Sequence, residues 1–113
     1  MTKHYIDNDR FEELILLYQD NPQEHEEELF SLFDLLIHNI INAYGFTVDT
    51  EDAKQECFLL ILKTLGKFNP ENGKAFNYFT TIIMNNLRLI YTKDKKYSEK
   101  LEAYEELLKN KDK

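Results

Sequence analysis

The feature that most constrains the fold is a set of apolar segments with helical spacing, separated by helix-breaking residues. Apolar residues recur every three or four positions over 11–18 and again over 29–41, which is the period of one helix face. Asn21-Pro22 lies between these segments, and proline fits the first turn of a helix because the N–H it lacks would be unpaired there. No segment shows the two-residue alternation of a half-buried strand. The sequence therefore predicts an all-α fold, a small helical bundle of about four to five helices.

Capping residues predict where the helices begin and end. Asn and Asp side chains cap helix N-termini, and glycine permits the left-handed turn that ends a helix. The predicted boundaries are a first helix capped by Asn8 or Asp9 and ending near Asp20, a second from Asn21-Pro22 to Gly45, a third from 49–52 to Gly66, a fourth from Asn77 through Tyr91, and a final amphipathic stretch over 97–108.

The chain has 113 residues, 42% of them hydrophobic, which suffices for one small hydrophobic core and not for two. We therefore expect residues 1–113 to form a single domain. No apolar run has transmembrane length, and the first residues lack the apolar segment of a signal peptide. The expected location is the cytoplasm, with no membrane partner.

Catalytic signatures are weak. Asp52 and Glu56 lie four residues apart on one predicted helix face, a spacing that could hold a metal ion, but acidic residues at a helix start are more often surface charges favoured by the helix dipole. Cys57 and three scattered histidines show no metal-ligand spacing, and three glycines make no phosphate loop. We expect no enzymatic activity, no metal and no cofactor, with a metal-dependent nuclease as the weakest alternative.

Charge is divided unevenly along the chain. The net charge is −7, which taken alone argues against nucleic acid as a partner. Residues 1–56 carry three basic and fourteen acidic side chains, whereas residues 57–98 carry seven basic and two acidic ones. The division indicates one surface for a basic partner and another for an anionic partner. An uneven solvated surface is the simpler alternative.

Aromatic and basic side chains are combined in the stretch from Phe76 to Lys96. Proteins bind single-stranded DNA by combining aromatic stacking with positive charge. The DNA-binding candidates are Phe76, Tyr78, Phe79, Ile82, Ile83, Asn85, Asn86, Arg88, Lys93, Lys95 and Lys96. The alternative is that the apolar members of this stretch are core residues, because aromatics at helical spacing usually pack in the interior; these are Phe76, Phe79, Ile82, Ile83 and Leu87.

Three short motifs follow one another between Asp52 and Phe79. Residues 52–56 read D-x-x-Q-E, residues 67–73 read K-F-N-P-x-x-G, and residues 76–79 read F-x-x-F, with an apolar segment after the first motif. Together they resemble conserved region 2 of bacterial sigma factors. The resemblance implies a sigma region 2-like helical fold with a polymerase-docking helix over 52–66 and a promoter-facing helix over 76–93.

The resemblance also implies roles by position. The D-x-x-Q-E helix of the family docks on the clamp helices of the largest subunit of RNA polymerase core, which implies polymerase-binding roles for Asp52, Gln55, Glu56, Phe58 and Leu62. The family's aromatic cluster captures a flipped adenine of the minus-ten element on the opened non-template strand, a role that maps to Tyr78, Phe79 and their neighbours. Ile82 and Ile83 stand where primary sigma factors have two tryptophans, which suggests weaker unaided melting.

The start of the chain, from Tyr5 to Asp9 followed by an apolar helix, and the absence of a second DNA-binding domain resemble the short late-transcription sigma factors of T4-like bacteriophages. Those factors act in the cytoplasm of an infected bacterium with a co-activator and a sliding clamp. Their clamp-binding tail is short, acidic and apolar. Residues 105–113 match that tail poorly, so a co-activator and a sliding clamp stay open as partners.

The sequence therefore predicts a sigma factor that binds host RNA polymerase core, directs it to AT-rich minus-ten-type late phage promoters and assists their opening. The alternative is a helical module that does not bind DNA, such as an anti-sigma or polymerase-appropriating factor that mimics only the docking helix.

Overall fold

The computed structural model describes the backbone of residues 6–45 and 50–111, and the side chains of all of these except 94, 97, 98, 110 and 111. Over these ranges the elements are α1 (Asn8–Asp20), α2 (Pro22–Tyr44), α3 (Thr50–Leu65), a short 3-10 turn (Pro70–Asn72) and α4 (Ala75–Lys111). The described part of the chain contains no strand. The predicted all-α fold class, a small helical bundle, is confirmed.

Most helix ends follow the local capping signals. Gly45 ends α2 with φ 64° and ψ 33°, in the left-handed region that glycine readily adopts. Pro22 is the first residue of α2, as predicted. The predicted cap of α1 was wrong by one or two residues, because the Asp7 carboxylate accepts hydrogen bonds from the N–H groups of Asp9 and Arg10 at 3.0 and 3.1 Å.

The third helix begins at Thr50 and ends at Leu65, directly before the predicted stop at Gly66. Its predicted first residue, Asp49, lies outside the described residues, as does Tyr5.

The fourth helix begins earlier and ends later than predicted. It starts at Ala75 instead of Asn77 because the backbone N–H of Ala75 donates to Oε1 of Glu12 at 2.9 Å, a cap supplied by α1. It continues to Lys111, so the predicted final amphipathic stretch is the second half of the same helix of 37 residues. No glycine or proline follows Gly73 in the sequence, and nothing local therefore interrupts the helix.

The core is centred on α2, which buries residues along most of its length. Phe33 of α2 packs edge-on against Phe11 of α1 and Phe79 of α4, with ring centroids 5.1 Å apart in both pairs. Phe11 and Phe79 are themselves 6.2 Å apart. Edge-to-face aromatic packing of this kind adds to the stabilisation from burial alone, so these three rings fix the first, second and fourth helices to one another.

The second half of α4 extends beyond the bundle. Packing against the core ends at Ile90, and every described side chain from Thr92 to Lys109 is exposed. The molecule is accordingly long, with principal extents of 66 × 32 × 25 Å. Within the described ranges, no helix has both the length and the apolar character that crossing a bilayer requires.

We expect Gly73→Ala to destabilise the protein more than Gly45→Ala. Gly73 has φ 130° and ψ 177°, a region that is essentially restricted to glycine and costs other residues about 1–3 kcal/mol. Gly45 lies in the left-handed helical region, where alanine costs about 1–2 kcal/mol. A Cβ atom at either position has open space around it, so backbone strain alone determines the difference. Urea unfolding of both variants measures it, and a larger loss for Gly45→Ala would contradict the expectation.

Candidate functional site

The chain between α3 and α4 forms one wall of an open pocket of about 490 Å³ beside the start of α4. The lining combines two aromatic rings, side-chain amides and two ammonium groups; it consists of Lys67, Phe68, Asn69, Asn72, Gly73, Lys74, Asn77, Tyr78, Thr81 and Ile82. Rings can stack on bases, amides can pair with base edges, and lysines can neutralise phosphates. The pocket therefore has the chemical groups that a single nucleotide requires.

Tyr78 is the exposed end of a buried aromatic cluster. Its side chain is 36% exposed, and its ring lies 4.9 Å from that of Phe79 and 5.5 Å from that of Phe68. Phe79 in turn contacts the core rings of Phe33 and Phe11. Because buried rings support Tyr78 from behind, stacking a base on it would require little further ordering of the side chain.

Two predicted DNA-binding residues belong to the core. Phe79 and Ile83 have zero exposure, so neither presents atoms to a bound strand in this structure. Residues 79, 83 and 87 follow one another at four-residue spacing, which places them on the helix face that packs against the bundle. We reassign Phe79 and Ile83 to the core, in agreement with the alternative interpretation of this segment.

Phe76 and Tyr78 lie on different sides of α4. Phe76 is half-buried and lines a separate concavity of about 330 Å³, together with Tyr44 and Thr80. It does not line the pocket that contains Tyr78. Of the three neighbouring aromatics that the sequence groups together, only Tyr78 is therefore available to a ligand in that pocket.

An exposed ridge continues from Tyr78 along α4. Residues at positions 78, 82, 85, 89 and 96 share one side of the helix because they are spaced by three, four or seven. Ile82 is half-buried and the others are exposed. Arg88, Lys93 and Lys95 are also exposed beside this ridge. The predicted basic track thus lies on the same helix as the pocket, towards its C-terminal side.

Asn86 faces α3 instead of solvent. Its Nδ2 lies 3.4 Å from Sγ of Cys57, and the side chain is half-buried. Burial raises the pKa of the Cys57 thiol, and the hydrogen bond from Asn86 only partly opposes this effect. The thiol therefore stays protonated at neutral pH and is a poor nucleophile. In this structure Asn86 links α4 to α3 and is half-withdrawn from the predicted DNA-binding surface.

A second surface lies along α3, where it meets α2. A groove of about 430 Å³ is lined by Asp34, Glu51, Lys54, Gln55, Phe58, Leu59 and Leu62. Leu59 and Leu62 are 61% and 47% exposed. The Lys54 ammonium lies 3.3 Å from a carboxylate oxygen of Asp34 at the same groove. Neighbouring exposed apolar side chains that are rimmed by polar groups can form a protein-binding surface.

The groove brings together three of the five predicted polymerase-binding residues. Gln55, Phe58 and Leu62 line it, and the Phe58 ring is 6.1 Å from Phe30 of α2. Asp52 and Glu56 are exposed on the same helix but do not line the groove. Their four-residue spacing places them together on a neighbouring strip of α3.

The site residues predicted from the sequence did not include Leu59, nor residues 67–74, which form one wall of the pocket that contains Tyr78. Leu59 lies four residues after Gln55 and three before Leu62, so helical spacing places all three on one side. Residues 67–73 entered the sequence-based prediction only as the second of the three motifs, without a ligand-binding role. The two lysines at the ends of the wall, Lys67 and Lys74, were the available signal for an anion-binding role.

Comparisons of this chain with protein-family models, with curated proteins and with solved structures found no match. In residues 6–45 and 50–111, no group of three or more His, Cys, Asp or Glu side chains is arranged to hold a metal ion.

Proposed function

We propose that this protein is a sigma factor that binds host RNA polymerase core and directs it to AT-rich minus-ten-type promoters of late phage genes. The observation that carries the proposal is the half-exposed Tyr78 ring, backed by a buried aromatic cluster and bordering an open pocket with two lysines. Promoter opening releases unpaired bases, and each base stacked on an aromatic side chain contributes about 1–3 kcal/mol. In this role, Tyr78 stacks on one base of the opened non-template strand.

The positive charges at the pocket can bind the phosphates of a DNA strand in addition to the base. Lys67 and Lys74 border the pocket, and Arg88, Lys93, Lys95 and Lys96 extend the positive charge along α4. A strand bound at Tyr78 and running along α4 passes these cations in turn. Residues 57–98 carry seven basic and two acidic side chains, so the part of α4 nearest the pocket is locally positive although the net charge of the chain is acidic.

The groove on α3 is the proposed contact with the clamp helices of the largest polymerase subunit. Leu59, Leu62 and Phe58 supply apolar area, and Gln55 supplies a hydrogen-bonding group in the same groove. Asp52 and Glu56 add negative charge on the adjacent strip of α3. Steering by these carboxylates would raise the association rate with a basic partner.

The second candidate is a helical module that binds polymerase without binding DNA. It is favoured by the burial of Phe79 and Ile83 and by the separation of Phe76 from Tyr78, which leave Tyr78 as the one ring of the three at positions 76, 78 and 79 that a base in the pocket can contact. Such a module needs only the groove on α3. A polymerase-appropriating or anti-sigma factor would reduce transcription by the host sigma factor and start none of its own.

In vitro transcription on an AT-rich template by reconstituted RNA polymerase core, with and without this chain, tests the proposal. We expect discrete transcripts that depend on the chain. Template with its AT-rich segment replaced by GC pairs is the matched control and should give none. Polymerase binding without any chain-dependent transcript would favour the second candidate, and absence of polymerase binding would exclude both.

A further inference from the structure

We infer that Glu12 and Gln19 of α1 are positioning residues that hold the wall of the nucleotide pocket in place from its two ends. The wall is the chain from Lys67 to Lys74, between α3 and α4. Neither residue lines the pocket, so both act through the wall. That the ligand is a nucleotide rests on the proposed function. That Glu12 and Gln19 hold the wall does not.

Gln19 holds the first end of the wall. Its side-chain amide nitrogen Nε2 donates to the backbone carbonyls of Leu65 and Phe68, both at 2.9 Å. Leu65 is the last residue of α3, and the last four carbonyls of a helix have no partner within it. Gln19 thus supplies a donor to the helix end and to the first turn of the wall at the same time.

Glu12 holds the other end. Its Oε1 accepts from the backbone N–H of Ala75 at 2.9 Å, and Ala75 is the first residue of α4. A carboxylate at this position satisfies an unpaired N–H and lies at the positive end of the helix dipole. Glu12 and Gln19 are seven residues apart, so both project from the same side of α1.

Between these two ends the wall is held by its own hydrogen bonds. Asn69 accepts from the N–H of Glu71 through its side chain and from the N–H of Asn72 through its carbonyl, both at 3.0 Å. The N–H of Gly73 donates to the carbonyl of Pro70 at 3.4 Å. The wall is therefore a preformed unit, and its distance from the Tyr78 ring depends on how its ends are attached.

The position of the wall affects binding of a nucleic-acid base more than binding of the sugar-phosphate backbone. A base stacked on Tyr78 must also fit against Asn72, Lys74 and Asn77, which line the same pocket. A small shift of the wall relative to the Tyr78 ring weakens those contacts with the base. The lysines along α4 still attract the phosphates of the strand. Loss of Gln19 should therefore reduce the contribution of the base more than the electrostatic contribution, because Arg88, Lys93, Lys95 and Lys96 lie outside the wall and keep their positions on α4.

The test compares Gln19→Glu, which keeps the shape but has no donor, with Gln19→Lys, which restores one. Binding of a fluorescent AT-rich single strand and of the same backbone with abasic sites is measured for the full chain. Gln19→Glu also adds a negative charge, which weakens binding of both strands, so the test is the ratio of the affinity for the base-bearing strand to that for the abasic strand. We expect this ratio to fall about tenfold in Gln19→Glu, from the loss of two hydrogen bonds, and Gln19→Lys should restore most of it.

Hydrogen exchange of the backbone amides measures the local stability of the wall in the absence of nucleic acid. In Gln19→Glu, and in Glu12→Leu, amides of residues 67–75 should exchange about tenfold faster, while amides of α2 keep their rates. Asp20→Asn, a change at the exposed residue next to Gln19, is the control. It should change the exchange rates neither of residues 67–75 nor of α2. Equal exchange in the wall, or an equal increase throughout the bundle, overturns the inference.

The two measurements separate the possible failures. If the unaltered chain binds no single strand but Gln19→Glu speeds exchange in the wall, the proposed function fails and the positioning role stands. If the unaltered chain binds the strand and Gln19→Glu leaves the ratio of the affinities for the base-bearing and abasic strands unchanged, the positioning role fails and the proposed function stands.

Discussion

Replacing Leu59 and Leu62 together with glutamate is expected to abolish binding to RNA polymerase core while leaving the bundle folded. Both side chains are largely exposed, at 61% and 47%, so the core does not depend on them. Burying a leucine in an interface is worth about 1.5–3 kcal/mol. Losing two such contacts should weaken binding by more than about a hundredfold, since about 1.4 kcal/mol corresponds to a factor of ten. Titration of labelled protein with core polymerase measures the loss.

The chain offers a matched control for this variant. Leu107 and Leu101, in the part of α4 beyond the bundle, are 66% and 44% exposed, and replacing them with glutamate makes the same change in charge and hydropathy. The control should bind core polymerase as the unaltered chain does. If the α3 variant keeps full affinity with an unchanged circular dichroism spectrum, or if the control loses as much affinity, the groove is not the docking site.

Alanine substitutions at the adjacent residues Tyr78 and Phe79 are expected to have opposite consequences. Phe79 has zero exposure and contacts four other rings, so Phe79→Ala should lower the free energy of unfolding by about 3–5 kcal/mol. This is a large part of the roughly 5–15 kcal/mol that stabilises a typical domain. Tyr78→Ala removes a half-exposed ring and should cost about 0.5–1.5 kcal/mol of stability.

For promoter opening the order of the two variants should be the reverse: among folded molecules, Tyr78→Ala should have the larger effect. Tyr78→Ala should lower promoter opening by about ten- to a hundredfold with polymerase binding intact, because one stacked base contributes about 1–3 kcal/mol. Tyr78→Phe keeps the ring and should retain most activity. Urea unfolding and permanganate reactivity of promoter thymines measure the two effects. A folded Tyr78→Ala variant that opens promoters normally would rule out the stacking role.

The all-α fold class could be predicted from the sequence because its signals are local. Helical spacing, Asn21-Pro22 and Gly45 each act within a few residues of the boundary that they define. The start of α4 could not be predicted in this way. Its cap is Glu12, which precedes Ala75 by 63 residues, and no local pattern contains that contact.

The two surfaces were harder to predict for a different reason. Residues 58–62 are all apolar, so periodicity could not separate buried Ile61 from exposed Leu59. Likewise, Tyr78 and Phe79 are adjacent rings of nearly equal size, and only the helices packed around α4 determine which one is buried. In both cases the sequence indicates a segment, and tertiary packing decides which side chains of that segment face outward.

The length of α4 has a consequence for how the chain unfolds. Up to Ile90 the helix is stabilised by burial against α1, α2 and α3, whereas beyond Thr92 its described side chains are exposed. An isolated helix of that length is marginally stable in water, and its helicity depends on local propensity and on pairs such as Glu105 and Lys109, four residues apart. One continuous helix therefore spans two cooperative units. The outer unit can fray and re-form without any loss of the bundle.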